Sequence, residues 1–309
     1  MSKLYCMLGF VLLSTNLAFA SNTVVDPSSE KIINSINQVA ITQKINKKPI
    51  GDIMVWSALQ FLNEPYVGRL LDKKQPEYLY ISLDKTDCML FIEQIVALSE
   101  LIKQNKLNLD NYTQEIEKLR YHGNLAYCNR NHYFKDWSLV NVNNGFVIDK
   151  AWELTHIQYP YSANIMSQML SHKESAPNYK YLACIKDREQ KVDKEQLGFI
   201  PLDVLPKYLN KIKNGDIIGI IRDPSHADPV HHLGIAYIKD GQVGMIHASS
   251  DKHKVVIAPS LMDYLKQFDN SRGIILLQVR DTGAIKSVLL CSFNICPIIL
   301  PLIIGFMYT

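Results

Sequence analysis

The chain has 309 residues, 47% of them hydrophobic, which is enough to bury one large core or two small ones. This composition excludes a disordered protein. Its 33 basic and 30 acidic residues are mixed along the chain, and the formal net charge of +3 does not favour electrostatic capture of nucleic acid.

The N-terminus has the pattern of a secretory signal. Lys3 precedes an apolar stretch from Leu4 to Leu13, and Ala18-Phe19-Ala20 matches a small-x-small cleavage site. Residues 1–20 are therefore predicted to be a signal peptide. The mature protein is expected to be exported to the periplasm or the extracellular space.

Five cysteines remain after removal of this segment: Cys88, Cys128, Cys184, Cys291 and Cys296. An odd number in an oxidising compartment leaves a thiol that is unpaired or pairs between chains. For Cys128 and Cys184 the spacing leaves two alternatives open, a disulfide bridge or two buried free thiols.

Helical spacing of apolar residues recurs between Thr23 and Asn63, and turn and strand residues follow from Pro65 to Leu83. The apolar residues between Leu90 and Ile102 then predict a buried central helix. Cys88 stands at its start, where Thr86 or Asp87 can cap it.

A thiol at a helix start is suited to nucleophilic chemistry. Backbone N–H groups of the first turn carry partial positive charge, so we expect Cys88 to be shifted toward thiolate. The same N–H groups could hold the oxyanion of a tetrahedral intermediate. The alternative is a buried structural cysteine, which is the commoner role of the residue.

The second half of the chain is predicted to form an antiparallel sheet, because short β-rich runs alternate with turn residues. The runs are Asp216–Arg222, Leu233–Lys239, Gln242–Ala248, Lys254–Ala258 and Gly273–Arg280. The sequence contains no repeat of fixed period and no Gly- or Ser-rich linker, so a single domain from residue 21 to 283 is predicted.

Asp240-Gly241 predicts a two-residue hairpin turn between two of these runs. If Lys239 pairs with Gln242, Gly234 lies opposite His247 and leaves space for it. His232 and His247 then become diagonal neighbours about 7 Å apart on one face of the sheet. His231 points to the other face because side chains alternate along a strand.

This arrangement predicts that His232 is the base for Cys88 and that His247 fixes its tautomer. Two alternatives exist. The three histidines, His231, His232 and His247, could bind a metal, although alternation separates the adjacent pair. They could also be sheet histidines with structural partners.

The C-terminal segment, residues 284–309, is of uncertain role. Residues 288–308 are uncharged and strongly apolar, close to the length that spans a bilayer, although Pro297 and Pro301 would kink a helix. A membrane anchor, a hydrophobic flap on the domain and a terminus without function are the alternatives.

The motifs described above resemble those of the NlpC-type cell-wall hydrolases, a papain-like superfamily. Thr86–Glu93 is similar to the nucleophile motif of that superfamily, and His232–Ala236 and Ile246–Ser249 are similar to its two later strands. More narrowly, the chain resembles the N-acetylmuramoyl-L-alanine amidases first catalogued as a domain of unknown function. That resemblance runs from Gly51 to Arg280 and includes Asn129–Trp137, Gly198–Pro201 and Asn214–Ile218.

The resemblance implies an α+β, papain-like fold, in which a central helix carrying the nucleophile packs on an antiparallel β-sheet with additional helices around it. It implies Cys88 as nucleophile, His232 as general base and His247 as the orienting residue. Muropeptides would be cleaved at the amide that joins N-acetylmuramic acid to L-alanine, without a cofactor or a metal.

Substrate contacts are expected in the Asn129–Trp137 segment: Arg130, Tyr133, Asp136 and Trp137. Arg130 would bind a carboxylate and the aromatic residues would stack on sugar. The alternative is that His132, Tyr133 and Trp137 are core aromatics. An acidic residue, Asp228, precedes the histidines one residue further away than is usual in the branch, which leaves His231 as an alternative base.

Two other functions fit the same motifs. One is an endopeptidase that cuts between D-glutamate and the diamino acid of the stem peptide. The other is a cell-wall binding module that has kept the cleft without turnover.

Overall fold

The structure is a computed structural model that describes residues 22–71, 76–171, 179–223 and 229–281. The predicted signal peptide, residues 1–20, and the apolar C-terminal segment, residues 284–309, lie outside the described residues. The single-domain partition of residues 21–283 stays a prediction.

The N-terminal part is largely helical, as its apolar spacing predicted. It contains β1 (Thr23–Val25), α1 (Ser29–Thr42), α2 (Ile50–Leu59) and β2 (Leu79–Ile81). β1 and β2 pair in parallel, with Val24 opposite Tyr80.

The central helix α3 extends from Cys88 to Lys103. Every residue from Leu90 to Ile102 is buried, which explains why the apolar pattern covers most of the helix circumference. Six further helices or strands follow: α4 (Leu109–Arg120), α5 (Phe134–Asn143), β3 (Val147–Asp149), α6 (Lys150–Thr155), α7 (Ile165–Ser171) and α8 (Leu182–Lys194).

Most of the main sheet lies in the C-terminal half, where alternation predicted strands, but β3 and the strand at residues 200–201 were not predicted. The elements that follow α8 along the chain are β4 (Ile200–Pro201), β5 (Ile217–Arg222), β6 (Val230–Lys239), β7 (Gln242–Ser249), β8 (Lys254–Ala258), the helix α9 (Leu261–Lys266) and β9 (Ser271–Val279). The spatial order is β3-β9-β5-β6-β7-β8, and β4 also pairs with β9. All of these pairs are antiparallel, so the predicted α+β class with an antiparallel sheet is confirmed.

The sheet is covered on both faces. Leu233, Ile235 and Ile246 pack in one apolar cluster with residues of α3, such as Phe91 and Ile95. Ala236 and Met245, which alternate with them, pack in a second cluster with Leu261 and Leu265 of α9. This layering places the start of α3 against the β6–β7 hairpin.

The hairpin has the predicted register, from Lys239 opposite Gln242 to Ile235 opposite Ile246. Asp240 and Gly241 both have positive φ, as a type I′ turn requires. The expected pairing of Gly234 with His247 does not occur in the ladder, which ends at Ile235. The space over Gly234 is taken by Met245, whose Sδ lies 2.9 Å from where a Cβ would stand.

Within the described residues, no helix is long and apolar enough to cross a membrane.

Candidate active site

Cys88 is the first residue of α3, as predicted, and is partly exposed. The cap is Asp87, whose Oδ1 accepts hydrogen bonds from the N–H groups of Met89 at 3.0 Å and Leu90 at 2.9 Å. The Asp87 carbonyl accepts the N–H of Phe91. The N–H of Cys88 is therefore the first-turn donor that Asp87 does not use.

The thiol of Cys88 lies against β6. Ala236 N–H donates to Asp216 O on the β5 side at 2.8 Å, so the N–H groups of odd-numbered residues in β6 point toward β7. Leu233 is the next such donor after the β6–β7 ladder ends at Ile235. This N–H acts on the Cys88 thiol and lowers its pKa, which places the nucleophile beside the residue that follows His232.

His232 and His247 form a hydrogen-bonded pair, with Nε2 of His232 2.6 Å from Nδ1 of His247. Their rings are nearly perpendicular, and their centroids are 4.8 Å apart. Both side chains are buried, at 7% and 2% exposure. The prediction that the two histidines share one face of the hairpin is confirmed.

Tyr264 of α9 covers this pair. Its ring centroid is 6.0 Å from that of His232, in a nearly parallel arrangement, and 5.1 Å from that of His247, edge to face. The negative charge of Asp251, in the β7–β8 turn, acts on His247 and raises its pKa. The pair is thus flanked by an aromatic ring and by a carboxylate.

Both histidines are held in the neutral state. The pKa of His232 is lowered to about 3, chiefly by burial and in smaller part by the nearby His247, His231 and Arg222. Burial also lowers the pKa of His247 to about 4. A neutral imidazole has one donor and one acceptor nitrogen, so the pair shares a single proton between Nε2 of His232 and Nδ1 of His247.

The expected shift of Cys88 toward thiolate is not found. Burial raises the pKa of the thiol to about 12, and the negative charge of Asp87 adds to the effect. The backbone N–H groups of Met89, Cys88 and Leu233 act in the opposite direction but do not outweigh burial. The resting site is therefore a neutral thiol beside a neutral imidazole.

His231 does not join the buried pair. It is exposed, and its ring centroid is 6.1 Å from that of Phe268. Within the described ranges, no group of three or more His, Cys, Asp or Glu side chains could hold a metal ion.

The N-acetylmuramoyl-L-alanine amidase-like (AmiA-like) family model matches residues 57–274, a range that contains Cys88, His232 and His247. The chain belongs to this family. No curated protein matches the chain in sequence.

Solved structures agree with this family assignment. An N-acetylmuramoyl-L-alanine amidase from Bacteroides uniformis is 30% identical, with a TM-score of 0.69, and the match covers 75% of this chain and 99% of that one. A candidate xylanase from Bacteroides fragilis is 29% identical, with a TM-score of 0.66 and coverage of 72% and 99%. A Legionella pneumophila protein is 20% identical, with a TM-score of 0.62 and coverage of 81% and 95%, and shows the same fold.

In this amidase-like chain, the four predicted substrate contacts lie inside the domain. Arg130 forms a buried ion pair with Glu77 at 3.2 Å, and the hydroxyl of Tyr133 donates to Glu189 at 2.5 Å. Asp136 pairs with Arg188, and Trp137 is completely buried. These contacts favour the core alternative, and substrate binding by the four side chains stays a prediction.

The other signatures of the amidase-like sequence have structural roles. Gly198 donates its N–H to Asp149, and a Cβ at this position would collide with the backbone of Trp152. Asn214 Oδ1 accepts the N–H of Ile238 at 2.8 Å, and Asp216 Oδ2 accepts that of Lys213 at 2.8 Å. These residues anchor the ends of the strands that carry the site.

Three residues at the site were not predicted: Tyr264, Asp251 and Arg222. Tyr264 lies on a six-residue helix, and Asp251 lies in a turn. Neither position has a spacing that relates it to the histidines. Only the folded sheet brings them together, so the sequence offered no signal for them.

Proposed function

We propose that this protein is an exported cysteine amidase that hydrolyses the bond between N-acetylmuramic acid and L-alanine in peptidoglycan fragments. The observation that carries the proposal is the hydrogen-bonded His232–His247 pair on the hairpin, with Cys88 at the start of α3 under the influence of the Leu233 N–H next to His232. Family membership supports the choice of amide. A nucleophile, a base and an orienting group are the minimum for thiol catalysis.

The tautomers follow from the pair. In the tautomer that the mechanism requires, Nε2–H of His232 donates to Nδ1 of His247, which leaves the lone pair of His232 Nδ1 for the proton of Cys88. Removal of this proton accompanies the attack of sulfur on the lactyl carbonyl carbon, because the resting thiol is neutral. His247 then stabilises the imidazolium formed on His232.

The reaction then passes through a thioester, which is formed and afterwards hydrolysed. A C–S bond forms, and the N–H of Cys88 stabilises the oxyanion of the tetrahedral intermediate. His232 protonates the L-alanine nitrogen, the C–N bond breaks and the peptide leaves. Water, deprotonated by His232, then hydrolyses the thioester and regenerates the thiol.

The arrangement of Cys88 at a helix start and His232 on a later antiparallel strand supports a papain-like architecture for the amidase. The disulfide between Cys128 and Cys184, whose Cα atoms are 5.8 Å apart, supports an oxidising compartment outside the cytoplasm. Fractionation of cells that produce the full chain tests this location. Recovery in the cytoplasm would contradict it.

Digestion of purified muropeptides, followed by mass spectrometry, tests the reaction. The expected products are N-acetylmuramic acid, with its lactyl carboxylate free, and an intact peptide with L-alanine at its N-terminus. Cys88→Ala should abolish turnover. The double variant Cys128→Ser/Cys184→Ser, in which Cys88 is unchanged, is the matched control and should retain turnover.

Cleavage between D-glutamate and the diamino acid would instead identify an endopeptidase. Muropeptide binding without turnover would identify a binding module. Xylan is included as a control substrate, and its hydrolysis would contradict the proposal. A zinc chelator should leave the rate unchanged.

A further inference from the structure

Arg222 is the last residue of β5 and is half-buried, and its guanidinium forms no ion pair with a carboxylate in the described part of the chain, although the charge of Asp251 acts on it. Its Nε and Nη2 atoms are shielded from solvent and have no hydrogen-bond partner there. Four other arginines of the described residues are paired: Arg120 with Glu93, Arg130 with Glu77, Arg188 with Asp136 and Arg272 with Asp223. Shielding cationic donors from solvent without a partner costs free energy, which a bound anion would recover.

The side chain is nevertheless held in place. The Cζ atom of Arg222 lies 3.6 Å from the ring centroid of Phe268. The Phe268 ring is 5.5 Å from that of Tyr264, which covers His232 and His247. The positive charge of Arg222 also lowers the pKa of His232, so the guanidinium borders the proposed catalytic pair.

The chemical structure of the proposed substrate indicates which anion Arg222 could bind. In an N-acetylmuramoyl peptide the lactyl carboxyl is used in the scissile amide, so free carboxylates lie only on the peptide side. The first is the α-carboxylate of D-glutamate, which is joined to the next residue through its γ-carboxyl. It lies about two residues, or roughly 7 Å, from the scissile bond.

A similar distance separates two positions on β5, the one opposite His232 and the one occupied by Arg222. Ile220 of β5 is opposite His232, and Arg222 lies two residues further along β5, or about 7 Å. The planar guanidinium can bind a carboxylate through two N–H groups while its face stays on Phe268.

We propose that Arg222 binds the α-carboxylate of D-glutamate in the stem peptide. This orients the substrate, with the peptide toward Arg222 and Phe268 and the sugar on the other side of Cys88. The inference rests on the proposed amidase function and adds to it a determinant of substrate charge.

The test compares N-acetylmuramoyl-L-alanyl-D-glutamate with its α-amide, N-acetylmuramoyl-L-alanyl-D-isoglutamine, which differ only at the α-carboxyl group. The wild-type protein should have a kcat/KM about 10- to 100-fold higher for the acid, through KM. Arg222→Gln should remove this preference, so that acid and amide have similar kcat/KM values, and Arg222→Lys should retain part of it. The matched control is Arg272→Gln, which removes a charge from the neighbouring strand and should retain the preference.

Equal kcat/KM values for acid and amide in the wild-type protein would overturn the proposal, and this result does not depend on whether the variants fold. An equal loss on both substrates in Arg222→Gln would overturn it as well. If neither compound is cleaved, the amidase proposal fails separately. The dissociation constants of both compounds can still be measured by titration into the inactive Cys88→Ala variant. The proposed role of Arg222 requires that the acid binds more tightly than the amide.

Discussion

Nε2 of His232 lies 2.6 Å from Nδ1 of His247, and the pair is buried under the ring of Tyr264. This relationship uses Nε2 of His232 and leaves its Nδ1 outside the pair. It also separates His232 from its neighbour in sequence, since His231 is exposed and lies outside the pair.

Replacing His247 should therefore reduce catalysis without abolishing binding. His247→Ala removes the acceptor that holds His232 in the required tautomer, and we expect kcat to fall by about 10²- to 10⁴-fold. His247→Asn supplies an oxygen acceptor and should retain more activity. Steady-state kinetics on a muropeptide measures both, with His231→Ala as the control. A loss in His231→Ala as large as in His232→Ala would contradict the assignment.

The rate of Cys88 alkylation should rise with pH in the alkaline range, unlike that of a catalytic thiol that is already ionised near neutral pH. Because burial and Asp87 raise its pKa to about 12, alkylation by iodoacetamide should still accelerate between pH 8 and 10. Asp87→Asn keeps a capping side chain, removes the charge and should move the profile to lower pH. A rate that is constant from pH 5 to 8 would instead show a thiolate–imidazolium pair. Mass spectrometry of the Cys88 peptide gives the rates.

Glu64 should make the protein less stable as pH rises. Its two carboxylate oxygens are buried without a hydrogen bond among the described residues, and burial raises its pKa from 4.5 to about 8. The folded state thus keeps a proton that the unfolded state releases, so stability is full below pH 4.5 and falls as pH approaches 8.

Glu64→Gln should remove this loss. The gain, measured by urea unfolding, should grow from near zero at pH 4 to an upper limit of about 5 kcal/mol above pH 8. Exposed Glu30→Gln is the matched control and should show no such trend. A gain that does not change with pH would rule out the buried acid as its cause.

The disulfide should be important for stability. Cys128 and Cys184 are bonded across a sequence separation of 56 residues, and such a link commonly contributes about 2–4 kcal/mol. A reductant should lower the midpoint of thermal unfolding of the wild-type protein. The double variant Cys128→Ser/Cys184→Ser should start lower and be insensitive to reductant. Equal midpoints of the wild-type protein with and without reductant would show that the bond does not form in solution.

Local patterns in the sequence determined much of the framework. The apolar run after Asp87 determined α3 and its cap, and Asp240-Gly241 determined the turn and register that place His232 and His247 on one face. Each of these depends on residues a few positions apart, whose backbone preferences and side-chain alternation are visible in the chain itself.

Only the tertiary structure decided the rest. It placed the Cys88 thiol under the influence of the Leu233 N–H and raised the pKa of the thiol by burial. It also formed the Cys128–Cys184 disulfide and left Arg222 without an ion pair among the described residues, against Phe268. Burial and charge at these positions come from segments more than 30 residues apart in sequence, such as Arg222 and Phe268. Desolvation and Coulomb interactions depend on distance in space, which the order of residues does not reveal.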